Sequence, residues 1–181
     1  VGLGRITYLT FASGGSFSKY SDEFQTLTPA GEDIIYLCGK CEVAVNKEII
    51  EEQTYKCPEC GRGGLREEKA VEVGNIFKLK TKYASAFGLR FKDEKGKEED
   101  VIMGCYGIGL TRLLGTIVEV HHDNKGIVWP ESVAPYRVHL VRLGDEEKVR
   151  KAADETYRKF CEKKIDALYD ERNASAGEKL M

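Results

Sequence analysis

The chain has 181 residues, a formal net charge of -2 and 32% charged residues. That length holds one domain of ordinary size or one and a half small ones, and the near-balanced charge excludes a global basic field for nucleic acid. No apolar window approaches the ~20 residues that a bilayer span needs and no signal peptide is visible, so the sequence reads as cytoplasmic, with no membrane association.

The first predicted element is a strand over residues 5–11, apolar and β-branched (Ile6, Thr7, Tyr8, Leu9, Thr10, Phe11), which Ser13-Gly14-Gly15-Ser16 breaks. Strands over 23–28 and 33–37 follow as its neighbours in an antiparallel sheet. On the residues alone, the glycine pair is a turn. Cys38-x2-Cys41, fifteen intervening residues and Cys57-x2-Cys60 then fall within the spacing range of a four-thiolate zinc site. Two disulfides or four unliganded thiols are the other readings, and disulfides are rare in intracellular chains. Between the cysteine pairs, Val43-Ala44-Val45-Asn46 and Glu48-Ile49-Ile50 read as short strands of a ribbon over about residues 36–65. A module this small has little core of its own, so metal would supply much of its folding free energy.

Arg66-Glu67-Glu68-Lys69 reads as a solvated linker, after which strand returns over 70–79. Residues 84–91 and 99–106 read as the arms of a surface hairpin around a charged turn centred on Gly96. The second arm leads into a strand that turns through spaced glycines into an amphipathic helix. Leu110, Leu113, Leu114, Ile117 and Val118 recur at helical spacing, so one face is built to be buried. Gly107 and Gly109 leave the backbone bare at a helix start, where amides and dipole favour an anion. Arg112, in the first turn, adds a planar cation suited to phosphate or to stacking on a base. By spacing alone this Gly-x-Gly turn is weak evidence for a nucleotide. His121-His122-Asp123 reads as a structural helix end, because adjacent histidines do not face the same way. Cys161 reads as an ordinary packed residue. Beyond Pro130 the pattern changes to strand (136–143), helix (146–163, with Asp145 as N-cap) and strand (165–169), a βα unit with a parallel sheet.

Gly104-Cys105-Tyr106-Gly107-Ile108-Gly109-Leu110-Thr111-Arg112, followed by Gly126-Ile127-Val128-Trp129-Pro130 and Ala134-Pro135-Tyr136, resembles motif 3 of prolyl-tRNA synthetase, a class II aminoacyl-tRNA synthetase. Glu72-Val73-Gly74-Asn75-Ile76-Phe77-Lys78-Leu79 with Thr81-Lys82-Tyr83 resembles the segment before it. Gly14-Gly15-Ser16 with Glu23-Phe24 and Ala30-Gly31-Glu32-Asp33 resembles the same family, as do Asp170-Glu171-Arg172 and Gly177-Glu178-Lys179. The resemblance implies an α+β fold. Residues 1–132 would be the C-terminal part of a class II catalytic domain, a partial antiparallel sheet carrying the small zinc-ribbon insertion. Residues 133–181 would be the start of a truncated α/β anticodon-binding domain.

It also implies an activity. The full-length enzyme would use ATP with Mg2+ to turn proline into prolyl-adenylate and transfer the prolyl group to tRNA(Pro). Arg112 would be catalytic, Gly107, Gly109, Thr111 and Arg112 would bind ATP, and Gly14, Gly15, Ser16, Gly104 and Cys105 would bind proline. Glu72 is a weaker candidate, for the ammonium. Cys38, Cys41, Cys57 and Cys60 would hold a structural zinc, and the full-length protein would be a homodimer. Asp22 and Asn75 stand where the family leads one to expect histidines. The chain opens on Val1 and closes on Leu180-Met181 within what reads as a new helix, so it is expected to be a piece of a longer protein, inactive alone without motif 2. Only 38 residues separate Asp33 from Glu72, too few for the editing domain that many bacterial relatives insert there. Two other readings stay open: another synthetase of the subclass (threonyl, glycyl or histidyl), or a non-catalytic zinc-ribbon RNA-binding module derived from one.

Overall fold

The computed structural model describes residues 1–180, so Met181, the end of the expected last helix, lies outside it. The chain forms two compact units, residues 1–128 and the remainder from Trp129. The first is α+β with a sheet rich in antiparallel pairs. A 3-10 turn leads into β1 (Thr7–Ser13), β2 (Tyr20–Leu27), β3 (Asp33–Leu37), β4 (Val43–Asn46) and the long β5 (Arg66–Lys80). Then come α1 (Lys82–Phe87), β6 (Arg90–Lys92), β7 (Glu98–Asp100), β8 (Met103–Ile108), α2 (Leu110–Val120), β9 (His122–Asp123) and β10 (Gly126–Ile127).

The six-stranded sheet runs β2-β1-β4-β3-β5-β8, and β2 also pairs with β5, so five strands close into a ring. Only β1 and β4 pair in parallel. Partners across a ladder share a face, and the registers therefore sort every side chain. One face, turned inward, carries the cluster Ile35, Leu37, Ala44 and Ala70, with Tyr8 and Leu27 against it. The outer face carries Val45, Ile49 and Ile50, with Phe11, Tyr36 and Leu65. Each buried Ile, Leu or Val among them contributes about 1.5–3 kcal/mol by leaving water.

Five expectations are corrected in this unit. Arg66 to Lys69 is the beginning of β5, because its backbone completes the ladder with β3 from Leu37↔Arg66 to Ile34↔Lys69 while its charged side chains stay largely in water. Glu48-Ile49-Ile50 is no strand: Asn46 Oδ1 accepts the Glu48 amide at 3.1 Å and starts a 3-10 turn that buries both isoleucines. The cysteine segment is thus no separate ribbon, since β4 lies between β1 and β3 of the main sheet. Residues 82–87 form a helix, where alanine-rich sequence ends on Gly88 in the left-handed region (φ 63°). Finally, α2 buries Ile117 and half-buries Leu113 and Val118, but Leu110 and Leu114 remain 74% and 53% exposed.

The second unit contains β11 (Val138–Val141), α3 (Glu147–Glu162), β12 (Ala167–Asp170) and α4 (Ala176–Leu180). β11 and β12 pair in parallel, joined through α3. Tyr157 of α3 packs on Tyr169 at 5.3 Å between ring centroids, and the Tyr169 hydroxyl donates to Asp154 at 2.9 Å. The N-cap is Glu146 rather than Asp145, which instead pairs with Arg142 at 3.2 Å. Cys161 is exposed, not packed.

Candidate active site and cysteine centre

The inner face gathers polar groups where β2, β5 and β8 run side by side. Phe24 pairs with Gly74 and Gln25 with Glu72, so Val73 is an extra residue in β5, a bulge. Two consequences follow. Glu72 and Asn75, three residues apart, come onto one face, and Asn75 Nδ2 donates to Glu72 Oε1 at 2.8 Å. The Val73 carbonyl accepts the Gly109 amide at 3.1 Å, which fixes the start of α2 and brings Arg112 over β5. Arg112 Nη1 then donates to Glu72 Oε2 at 2.7 Å. The guanidinium is half-exposed and the carboxylate mostly covered, so the pair contributes little stability and mainly sets position.

The glycines of this turn are filled from within. A Cβ on Gly107 would stand 2.7 Å from Asn75 Oδ1, and one on Gly109 would stand 2.9 Å from Arg112 Nε. Their lack of side chains makes room for the amide and the guanidinium, a use that spacing could not reveal. Thr111 is exposed on the first turn of α2.

Cys105 pairs with Phe77, and Phe77 packs against Phe17 at 5.0 Å, in the loop that joins β1 to β2. Gly14 and Ser16 belong to that loop: Gly14 closes so tightly on Ser18 that a Cβ would meet its carbonyl oxygen at 2.1 Å, and the Ser16 carbonyl accepts from Lys82 Nζ. Gly15 bends the same loop at φ 54°. Gly104 does not join this group. One step from Cys105, it takes the outer face, where the Tyr106 ring covers it. Asp22 is outer for the same reason and pairs with Lys78 at 2.7 Å. An apolar cavity of about 500 Å³ lies between Leu3, Phe24, Ile76, Tyr106, Ile108 and Leu113, and Val73, Asn75 and Gly107 of the site's own strands also line it.

A buried network adjoins Glu72 that the sequence reading did not single out. Gln25 is fully buried, and its Nε2 donates to Glu23 Oε2 at 3.0 Å and to Asp33 Oδ2 at 2.7 Å. Asn46 Nδ2 donates to the same Glu23 oxygen at 3.4 Å. The available signal was the alternation in β2, where Ser21, Glu23, Gln25 and Leu27 share the inner face. Burial pushes the Glu23 carboxyl above its ordinary value, opposed by the Gln25 hydrogen bond and reinforced by the Glu72 charge. A raised acid contributes stability that is present below its unfolded pKa and lost as pH rises through its folded one. Glu23→Gln is therefore expected to melt higher than wild type at pH 7, with the gap closing toward pH 4. The gain is a fraction of a kcal/mol after solvent screening at this half-exposed group, and paired thermal melts at the two pH values measure it.

Cys38, Cys41, Cys57 and Cys60 bring their sulfurs within 4.8 Å of one another, the only such metal-competent group among the described residues. Two like turns do this. Cys38 O accepts the Glu42 amide at 3.0 Å and Cys57 O accepts the Gly61 amide at 2.8 Å, with Glu42 and Gly61 both left-handed (φ 55° and 70°). The first turn joins β3 to β4 and the second leads toward β5. All four cysteines are free, and the Cys38 and Cys60 sulfurs stand 3.8 Å apart, far beyond a disulfide bond. A tetrahedral zinc with bonds of about 2.3 Å sets its sulfurs about 3.8 Å apart. Backbone amides of Cys41 and Lys40 lower the Cys38 thiol to about 6, whereas hydrogen bonding to Cys60 and then burial push Cys41 up to about 12. Four thiols this close ionise together only around a cation.

Residues 6–121 match the family model of the tRNA synthetase class II core domain (G, H, P, S and T). The chain is 46% identical over 139 residues to the proline–tRNA ligase of Thermoanaerobacter sp. (strain X514), covering 76% of this chain and 24% of that protein. It is 49% identical over 126 residues to that of Sulfurihydrogenibium sp. (strain YO3AOP1), covering 68% and 22%. The chain thus spans about a quarter of the length of the curated relatives it matches. Its fold is like that of the prolyl-tRNA synthetase from Cryptosporidium parvum complexed with L-proline and AMP, with a TM-score of 0.63 at 20% identity over 96% of this chain and 30% of that one. Sequence match, relatives and fold agree, and the chain belongs to the class II tRNA synthetases, in the prolyl-tRNA synthetase family.

Proposed function

We propose that this chain carries part of the active site of a proline–tRNA ligase. The single observation behind the reading is the chain of contacts Asn75–Glu72–Arg112, which joins the bulged strand to the helix start on the sheet face that also carries Cys105 and Phe77. A proline carboxylate oxygen attacks the α-phosphorus of ATP, the bond to pyrophosphate breaks, and the prolyl group later passes to the 3′ end of tRNA(Pro). Such a reaction needs alignment and neutralised charge more than covalent help. ATP lies over the turn of Gly107, Gly109 and Thr111, with Arg112 against its phosphates or base. Proline packs near Cys105 and the loop of Gly14, Gly15 and Ser16.

The role of Glu72 changes in this reading. It lies two ladder rows from Cys105, about 13 Å along the strands at 3.3 Å per residue, too far for one proline to touch both. Glu72 and the Asn75 amide are hard oxygen donors on the phosphate side, and they would hold the Mg2+ that accompanies ATP. The four cysteines hold zinc, which closes the turns and takes no part in the chemistry. The β11–α3–β12 unit is the start of an anticodon-binding domain, as its parallel pairing supports. The whole protein works as a cytoplasmic homodimer on tRNA(Pro). The test is tRNA charging by the natural full-length protein: radiolabelled proline should enter tRNA, and incorporation of threonine, glycine or histidine instead would overturn the reading.

Between Asp33 and Glu72 the chain runs through β3, β4 and the start of β5 within one sheet, which leaves no editing domain at this point. Alanine fits wherever proline fits, and lost contacts reject it by only about 1–3 kcal/mol per missing methylene. The full-length protein is expected to leave alanyl-tRNA(Pro) intact, with a separate deacylase clearing it. Incubation with precharged tRNA decides this, since steady hydrolysis above the enzyme-free rate would contradict it.

A further inference from the structure

β5 carries a second irregularity, at the end of the strand away from Glu72. Phe77 pairs with Cys105 and Lys80 with Met103, so β5 advances three residues where β8 advances two. Cys105 and Met103 share the inner face, and the extra residue brings Lys80 onto it as well. Lys80 thus stands one row beyond Phe77 and Cys105, about 7 Å along the strands, on the side opposite to Glu72 and Arg112. Its backbone is left-handed, at φ 51°. Glu42, Thr54, Tyr55 and Lys164 share that region, and each donates its amide to an upstream carbonyl and closes a turn. Lys80 adopts it inside the β5–β8 ladder, where a residue with a Cβ is strained and glycine would not be.

Lys80 is exposed, and among the described residues it makes no ion pair, whereas the lysines around it are engaged. Lys78 pairs with Asp22 at 2.7 Å, Lys19 stands 4.0 Å from Glu52, and Lys82 donates to the Ser16 carbonyl of the β1–β2 loop. Backbone strain of this kind persists where function uses the residue. In the reading given above, ATP lies at the Arg112 end of the face and proline in the middle, at Cys105, so the substrate left for the Lys80 end is the RNA. The hydroxyl that accepts the prolyl group and the nearest phosphodiester belong to one nucleotide, and a cation one row from the amino acid reaches that phosphate. The two ends also differ in charge. Glu23, Asp33 and Glu72 outnumber Arg112 at one, and Lys19, Lys78, Lys80 and Lys82 outnumber Asp22 and Glu52 at the other. An RNA strand is repelled by the first and drawn to the second. We propose that Lys80 binds a phosphodiester at the 3′ end of the RNA substrate and so holds the acceptor hydroxyl beside the amino acid. The proposal rests on the proline–tRNA reading.

The experiment compares Lys80→Gly and Lys80→Arg with wild type in the natural full-length protein. Glycine relaxes the backbone and removes the cation, whereas arginine keeps both the cation and the strain. In charging assays, KM for tRNA(Pro) should rise roughly 3- to 10-fold in Lys80→Gly, and the slope of log KM against log salt should fall by about one. Lys80→Arg should restore both. Pyrophosphate exchange uses no RNA, and there KM for proline and KM for ATP should hold. A tRNA(Pro) trimmed of its 3′-terminal nucleotides, used as an inhibitor of charging, should bind wild type and Lys80→Gly equally. An unchanged KM for tRNA(Pro), a rise that Lys80→Arg leaves in place, or a loss shared by the trimmed tRNA overturns the role of Lys80 while the proline reading stands. A rise in KM for ATP assigns the cation to the triphosphate and overturns that role as well. Absence of proline-dependent exchange in wild type overturns both.

Discussion

Cys57→Ser is expected to abolish the proposed zinc binding and to cost the first unit most of its stability. Structural zinc sites bind with about 10–16 kcal/mol of apparent free energy near neutral pH, against a total stability of about 5–15 kcal/mol for an ordinary domain. The effect should spread beyond the loop, because β4 lies between β1 and β3 and the second cysteine turn leads into the strand that carries Glu72. Ile49 and Ile50, buried beside the turns, give this segment some core, so partial order should survive locally. Native mass spectrometry should find one zinc per wild-type chain and none in the variant, with a large fall in melting temperature. Four cysteines alkylated freely in the folded, metal-replete protein would contradict the account.

Arg112→Ala is expected to lower kcat for pyrophosphate exchange by about 10²- to 10³-fold in the full-length protein, the loss typical of one aligned charge-stabilising donor, about 2.7–4 kcal/mol. KM for ATP should rise and KM for proline should hold. The variant also strands Glu72, whose carboxylate is mostly covered and keeps only the Asn75 amide as partner. Cys105→Ala should do the reverse, since it faces the Phe77 wall: a weaker grip on proline with little change toward ATP. Steady-state exchange at varied ATP and varied proline separates the two patterns.

What the sequence revealed and what it hid have physical reasons. Four cysteines in two short pairs restrict geometry so strongly that the spacing alone pointed to their convergence. The apolar run after Asp33 marked β3 to the residue, and strand reading by composition did less well elsewhere. It failed at β5, whose first residues are charged because the ladder with β3 needs only their backbone. It failed also at Val73: a bulge leaves no mark in composition, yet it alone puts Glu72 and Asn75 on one face. Closure of the sheet through the β2–β5 pairing is a long-range event, and without it the inner row of Glu23 and Gln25 looks like the solvent side of an ordinary strand. Motif 3 was legible as a strand that turns into a helix, but the occupants of its glycine spaces, Asn75 and Arg112, come from residues whose positions only the fold decides.

Pyrophosphate exchange across all twenty amino acids tests the central claim most directly. The natural full-length protein, given ATP, Mg2+ and labelled pyrophosphate, should return label to ATP with proline at a rate far above that with threonine, glycine, histidine or serine. Exchange driven by another amino acid, or none above background with proline, would contradict the account.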